Sequence, residues 1–175
     1  MKYLSENGAL EKLHNLKSNY QQGIKEGYEP KAKSCLTCET KGACCLDAHF
    51  VNVHITRLEA AAIRKALLKL PEGKHNEVYT RIKNSIKEYD LTDSGDTFAK
   101  TYACPLFEKN NGCLVHHEGK PLPCISHACY ENEKDLPPDH LQTEQEIAVN
   151  DLNRKTYGAD ARWLPLPIAL SRNRS

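Results

Sequence analysis

Eight cysteines among 175 residues, gathered into three short clusters, constrain this chain more than any other feature. Cys35, Cys38, Cys44 and Cys45 form the pattern C-x2-C-x5-C-C, Cys104 and Cys113 flank a predicted tight turn, and Cys124 and Cys129 close the set. Thiolates are soft donors, and a C-x2-C step lets two sulfurs reach one small cation. A long ordinary stretch, Leu46 to Ala103, separates the first cluster from the rest. Remote parts of the chain are therefore expected to be stapled together through metal. A lone cysteine reads as a small buried hydrophobe; eight clustered in this way read as ligands.

Zinc takes four ligands in a tetrahedron, so eight thiolates suffice for two all-cysteine sites; a four-iron cluster also takes four thiolates. Adjacent Cys44 and Cys45 bear on that choice. In an extended segment neighbouring side chains point to opposite sides, so the pair is expected to serve two sites or one wide cluster, and to share its metal with the later cysteines. Neutral imidazole also binds zinc and iron. His49, His54, His116, His117 and His127 lie near the clusters, with His127, between Cys124 and Cys129, the strongest of them. His14, His75 and His140 lie far from any cluster, so histidine is simply common here. Asp47 reads first as a solvated loop acid and second as a hard ligand or an acceptor behind one.

Composition narrows the function classes. A formal charge of +1 argues against a nucleic-acid or anionic-membrane surface. No apolar run approaches the roughly 20 residues of a membrane span, and the polar stretch Met1 to Glu11 carries no apolar signal core. A cytoplasmic location is the resulting expectation, and in a reducing compartment clustered cysteines are more often ligands than disulfides. Hydrophobic residues make up only 39%, so the core is expected to be modest and metal crosslinks to help it fold. The chain has no G-x-x-x-x-G-K-[ST] loop and no G-x-S-x-G elbow.

Hydrophobic spacing places these residues on elements. Leu10, Leu13, Leu16, Tyr20 and Ile24 recur at helical spacing and predict an amphipathic helix over residues 3–26. The first cysteine cluster falls on a loop, and His49 to Ile55 reads as a short extended segment. Thr56-Arg57-Leu58-Glu59 is a capping box that opens a helix running to Leu70, which Pro71-Glu72-Gly73 stops. Val78, Ile82, Ile86 and Tyr89 mark another helix, and Leu91 to Asp96 a polar loop. Asn110-Asn111-Gly112 between Cys104-Pro105-Leu106-Phe107 and Cys113-Leu114-Val115 reads as a hairpin or knuckle. Pro121 and Pro123 predict an irregular stretch, and Pro137-Pro138 a break. Thr143 to Lys155 reads as a helix with a second capping box at Thr143 and Glu146. The tail Trp163-Leu164-Pro165-Leu166-Pro167-Ile168 is apolar and proline-rich, suited to an extended arm or to docking on a protein partner.

The residues Cys35, Cys38, Cys44 and Cys45, followed by Phe50-Val51-Asn52-Val53 and Thr56 through Glu59, then Cys104-Pro105, Cys113-Leu114-Val115 and Pro121 with Cys124, resemble the YkgJ-like cysteine-cluster family, a zinc- or iron-chelating CxxCxxCC domain. The resemblance covers roughly residues 31–130. Five residues rather than two separate Cys38 from the vicinal pair, Lys120 stands where the family usually has arginine, and His116 where tyrosine is common. The family is also similar to the cysteine-rich part of flagellin lysine N-methylases, where an iron-sulfur cluster is implied.

The expected fold is mainly α with a small irregular or β metal-stapled region, a single compact domain with cysteine-rich metal knuckles. Its expected parts are an N-terminal amphipathic helix over 1–30, a cysteine-cluster metal-binding domain with a helical insert over 31–135, and a C-terminal helix with a proline-rich apolar tail over 136–175. The expected ligands are all eight cysteines and the expected cofactor a 4Fe-4S iron-sulfur cluster or zinc. The expected function is that of a cytosolic metal-binding protein. The alternatives are an iron-sulfur-dependent enzyme related to the flagellin lysine N-methylases and a zinc-structured interaction module.

Overall fold

The computed structural model describes residues 3–33, 42–46 and 51–172. Cys35, Cys38, Asp47 and His49 lie outside the described residues. The helices are α1 (Glu6–Gly27), α2 (Ala43–Leu46), α3 (Arg57–Leu67), α4 (Glu72–Glu88), α5 (Leu122–Ile125), α6 (Asp139–Tyr157) and α7 (Leu166–Ser171). Six two-residue strands accompany them: β1 (Ala32–Lys33), β2 (His54–Ile55), β3 (Phe107–Glu108), β4 (Gly112–Cys113), β5 (Cys129–Tyr130) and β6 (Leu164–Pro165). With 58% helix and 8% strand the protein is mainly helical, as expected. The strands pair antiparallel as β1–β5, β2–β6 and β3–β4. No helix among the described residues is long and apolar enough to cross a membrane.

The chain divides into two units, each assembled from separate segments. The first comprises Met1–Lys41 and Pro121–Ala161. Its α1 packs on α5 and α6. Ser5 caps α1, its hydroxyl accepting from Gly8 N at 3.2 Å. The buried stripe of α1 is Ala9, Leu13, Lys17, Tyr20 and Ile24, one residue off the sequence expectation at two of its positions, because small Ala9 and the long stem of Lys17 cover the core where Leu10 and Leu16 lie at its edge. Pro121 and Pro123 do not keep the chain irregular. Pro121 precedes α5 and Pro123 lies in its first turn, where an N–H has no intrahelical partner to lose. Pro138 likewise opens α6, so that helix begins at Asp139 and Thr143 is internal. Instead of capping, the Thr143 hydroxyl donates back to Asp139 O at 3.1 Å. Gly158 ends the helix in the left-handed conformation, with φ 77°.

The second unit comprises Gly42–Lys120 and Arg162–Ser175. Its α3 and α4 enclose a core with Ile63, Leu67, Val78 and Ile82, and α7 packs on both helices. Pro71 does not merely stop α3; it stands as the N-cap of α4. The proline-rich tail is part of this core. Leu164–Pro165 pairs with β2, and Leu166, Ile168, Ala169 and Leu170 are buried. Tyr102, fully buried, ties the junction together. Its backbone N donates to Val51 O at 3.0 Å, its hydroxyl donates to Val53 O, and Leu166 N donates to that hydroxyl at 3.1 Å.

The Thr56 capping box forms as the sequence indicates. Thr56 Oγ1 accepts from Glu59 N at 3.2 Å and Glu59 Oε2 accepts from Thr56 N at 3.2 Å, with both residues fully buried. Thr56→Ala is expected to lower the unfolding free energy by about 1–2 kcal/mol, measured by urea titration. His54, on β2, is 3% exposed and stacks on Phe98 with ring centroids 3.8 Å apart. Its Nδ1 faces Asn52 O at 3.4 Å and its Nε2 lies 3.0 Å from Thr97 Oγ1, so this histidine is a core residue engaged at both nitrogens. Burial holds its pKa below the ordinary value of 6.5, against the opposing pull of the Asn52 carbonyl. The unfolded chain therefore takes up this proton first. The stabilisation from neutral His54 is present above pH 6.5 and is lost as the pH falls through 6.5 toward the lower folded value. His54→Phe should flatten the slope of unfolding free energy against pH in that window.

Candidate metal centre

Four cysteines belong to the second unit. Cys44 and Cys45 sit in the single helical turn α2, Cys104 precedes β3, and Cys113 ends β4. The vicinal pair is thus helical rather than extended. Consecutive side chains there diverge by about 100° rather than 180°, so the expectation of opposite-facing sulfurs rested on the wrong backbone. The turn and the hairpin approach through the backbone, Cys104 N donating to Cys45 O at 2.7 Å. In the β3–β4 hairpin Phe107 pairs with Cys113 and Glu108 with Gly112. Asn110 at φ 72° and Gly112 at φ 89° make the turn that the Asn-Asn-Gly sequence predicts.

Glycine at position 42 makes the approach of the vicinal turn feasible. Gly42 has φ 81°, and a Cβ there would fall 2.0 Å from Cζ of Phe107. The aromatic ring lies against the bare backbone that leads into Cys44 and Cys45.

The electrostatics of the thiols follow from that packing. Burial pushes Cys104 up to about 12, opposed by backbone N–H groups of Leu106 and Phe107 directed at its sulfur and by the charge of Arg81, while Cys113 pushes the same way as burial. Burial also raises Cys113; the Val115 N–H and the Lys120 charge oppose it, and Cys44 adds to it. Cys113 is therefore within electrostatic reach of both Cys44 and Cys104. Two donors of Arg81, Nε and Nη2, are buried without a hydrogen-bond partner. Its Nη1 lies 3.9 Å from Glu108 Oε1, and Glu108 also takes Lys74 and, at 3.0 Å, Asn111.

The chemistry of this donor set fits a soft cation. Four thiolates on a divalent ion leave a net negative assembly, and the orphaned Arg81 donors and the Lys120 charge stand beside it. Among the described residues, no three His, Cys, Asp or Glu side chains are grouped closely enough to hold a metal ion as they stand. Cys124, on α5, and exposed Cys129, on β5, belong to the first unit, where Cys129 pairs with Lys33. His116 and His117 contact each other edge to face at 4.9 Å, and exposed His127 lines a cavity of the first unit. Sequence reasoning missed Arg81, whose place one turn beyond Val78 on the amphipathic α4 gives no hint of a cysteine neighbour, and Gly42, which read as an isolated turn glycine.

No family model, curated protein or solved structure matches this chain.

Two glycines separate the backbone cost from the contact. Gly112 shares a positive φ with Gly42, but nothing lies within 4 Å of a Cβ placed there. Gly112→Ala should lose only the left-handed backbone term of about 1–2 kcal/mol, whereas Gly42→Ala should lose that and the Phe107 contact. Equal losses in parallel urea titrations would show that the ring does not constrain the turn.

Proposed function

We propose that this protein is a metal-binding protein whose centre is built from thiolates, with Cys44, Cys45, Cys104 and Cys113 as the ligands of one site and either zinc or a 4Fe-4S cluster as its occupant. The observation that carries this reading is the meeting of the vicinal turn with the cysteine-flanked hairpin beside the unpartnered donors of Arg81. The two enclosed Arg81 nitrogens, Nε and Nη2, are donors that an anionic metal-thiolate group would satisfy. The resemblance of residues 31–130 to the YkgJ-like family, in which Cys44, Cys45, Cys104 and Cys113 are among the matching cysteines, points the same way. Zinc would act as a crosslink between the turn and the hairpin, and an iron-sulfur cluster would add one-electron chemistry.

The raised thiols give the proposal a quantitative consequence. At neutral pH Cys104 is protonated without metal, so binding must release protons. Apparent affinity should climb about tenfold per pH unit for each proton displaced. The test is metal and sulfide analysis with an absorption spectrum on protein purified without oxygen, followed by a zinc competition series from pH 6 to pH 8. Brown protein with iron and sulfide identifies a cluster; colourless protein with zinc identifies a zinc site. Cys44→Ser, Cys45→Ser, Cys104→Ser and Cys113→Ser should each lower bound metal, and chelation should lower Tm. Full metal content in all four variants, or a Tm indifferent to chelation, would sink the proposal.

A further inference from the structure

The first unit holds a cavity of about 310 Å³ that the cysteine reading does not use. That volume is at the small end of ligand pockets, which begin at roughly 300 Å³. One wall is apolar, made by Leu136, Pro137, Pro138 and Pro123. Leu136 is 48% exposed and presents its side chain as part of this wall.

The opposite wall is a polar relay with a fixed direction. Ser126 Oγ donates to Gln142 Oε1 at 3.0 Å, and Gln142 Nε2 donates to Glu146 Oε1 at 2.8 Å. The hydroxyl proton of Ser126 and the amide oxygen of Gln142 are thereby committed to each other. Lone pairs remain on Ser126 Oγ and on Glu146 Oε2. Tyr20 joins them from α1. It lines the cavity, is 8% exposed, and its hydroxyl is buried with no hydrogen-bond partner. Burial raises its pKa, Ser126 opposes that shift and the Glu146 charge adds to it, which places the hydroxyl among the same lining groups. Asp139 adds a second carboxylate, and no Lys or Arg is among the lining residues.

A wall that offers acceptors and negative charge selects a ligand that brings donors and positive charge. An ammonium group supplies three N–H donors and no acceptor, matching the Glu146 carboxylate and the acceptor lone pairs of the Ser126 and Tyr20 hydroxyls. An alkyl stem then covers Leu136 and the prolines. We propose that this cavity is a binding site for a small organic cation, a primary ammonium on a short aliphatic stem. The proposal does not depend on the metal reading, since it uses none of the cysteines.

The test titrates the full-length protein with n-butylammonium, n-butanol and butyrate, followed by calorimetry or amide chemical shifts. The three share a stem and differ in charge, so the wild-type protein alone decides the question of selectivity. Butylammonium should bind in the millimolar range or tighter and at least about tenfold better than butanol, with butyrate weakest. Glu146→Gln keeps the shape and the contact with Gln142; it should weaken butylammonium about tenfold and leave butanol unchanged. Tyr20→Phe should weaken it by a smaller factor, about threefold. Equal binding of butanol and butylammonium, no binding of butylammonium up to about 100 mM, or an unchanged affinity in a folded Glu146→Gln protein would each overturn the proposal.

Discussion

The second unit depends on how one buried hydroxyl is satisfied. Tyr102 is a fully enclosed phenol, and an unpaired hydroxyl in such a place costs about 1–3 kcal/mol. Its solution is to stand between two chain segments far apart in sequence, giving its proton to Val53 O and receiving one from Leu166 N. That atom, with the direct bond from Leu166 N to Val53 O at 2.9 Å, positions the tail against the stretch before α3. Strand pairing of Ile55 with Leu164 then follows, and α7 is delivered onto α3 and α4 with Leu166 and Leu170 inward. Arg64 completes the arrangement by donating to the carbonyls of Ala169 and Arg172, the orphaned acceptors at the end of α7. A chain with 39% hydrophobic residues has few to spare, and it uses the tail to finish a core that the two helices leave open.

The cysteines are arranged by the same economy. None of the four in the second unit is on a long element. Each sits on a turn whose backbone is set by a special residue: Gly42 before α2, and Asn110 and Gly112 in the hairpin. Such turns carry little stability of their own. Among the contacts that join them are a backbone hydrogen bond, from Cys104 N to the Cys45 carbonyl, and the Phe107 ring against Gly42. Burial of the thiols opposes ionisation, whereas the N–H groups of Leu106, Phe107 and Val115 and the charges of Arg81 and Lys120 favour it. The balance leaves the sulfurs protonated and surrounds them with groups suited to their anions.

Most of the helical frame was legible in the sequence, and the misreadings share a cause. The Thr56–Glu59 box, the Val78–Ile82 stripe and the Asn-Asn-Gly turn are local signals, and each was realised because no distant contact competes with it. Prolines misled. Pro71, Pro121 and Pro138 read as interruptions, yet each precedes the first turn of a helix, where a fixed φ helps and a missing N–H costs nothing. Thr143 and Glu146 matched the capping pattern, but with the start of α6 set at Pro138 the threonine fell inside the helix and bonded to a carbonyl instead. For the tail, packing as an extended arm and docking on a partner stood as alternatives. Leu164–Pro165 does pack in extended form, whereas the α7 turn that follows was not foreseen, because nothing in the local pattern reveals Tyr102, some 60 residues away. The division of the cysteines between two units was not legible, since it depends on long-range packing. Arg81 was invisible for the same reason.

A formal charge of +1 conceals two local environments of opposite character. Beside Cys104 and Cys113, Arg81 and Lys120 supply positive charge. Around the Ser126–Gln142–Glu146 relay there are two carboxylates, Asp139 and Glu146, and His127 but no lysine or arginine among the lining residues. Net charge governs solubility and long-range steering, whereas ligand choice is made within a few ångströms, where the dielectric is low and each hydrogen-bond direction is fixed. Near-neutrality therefore argues against extended anionic partners while leaving room for small ions of either sign. Direction and charge act together in the relay: Ser126 donates to Gln142, Gln142 donates to Glu146, and the Glu146 and Asp139 carboxylates set the sign of the field in the cavity.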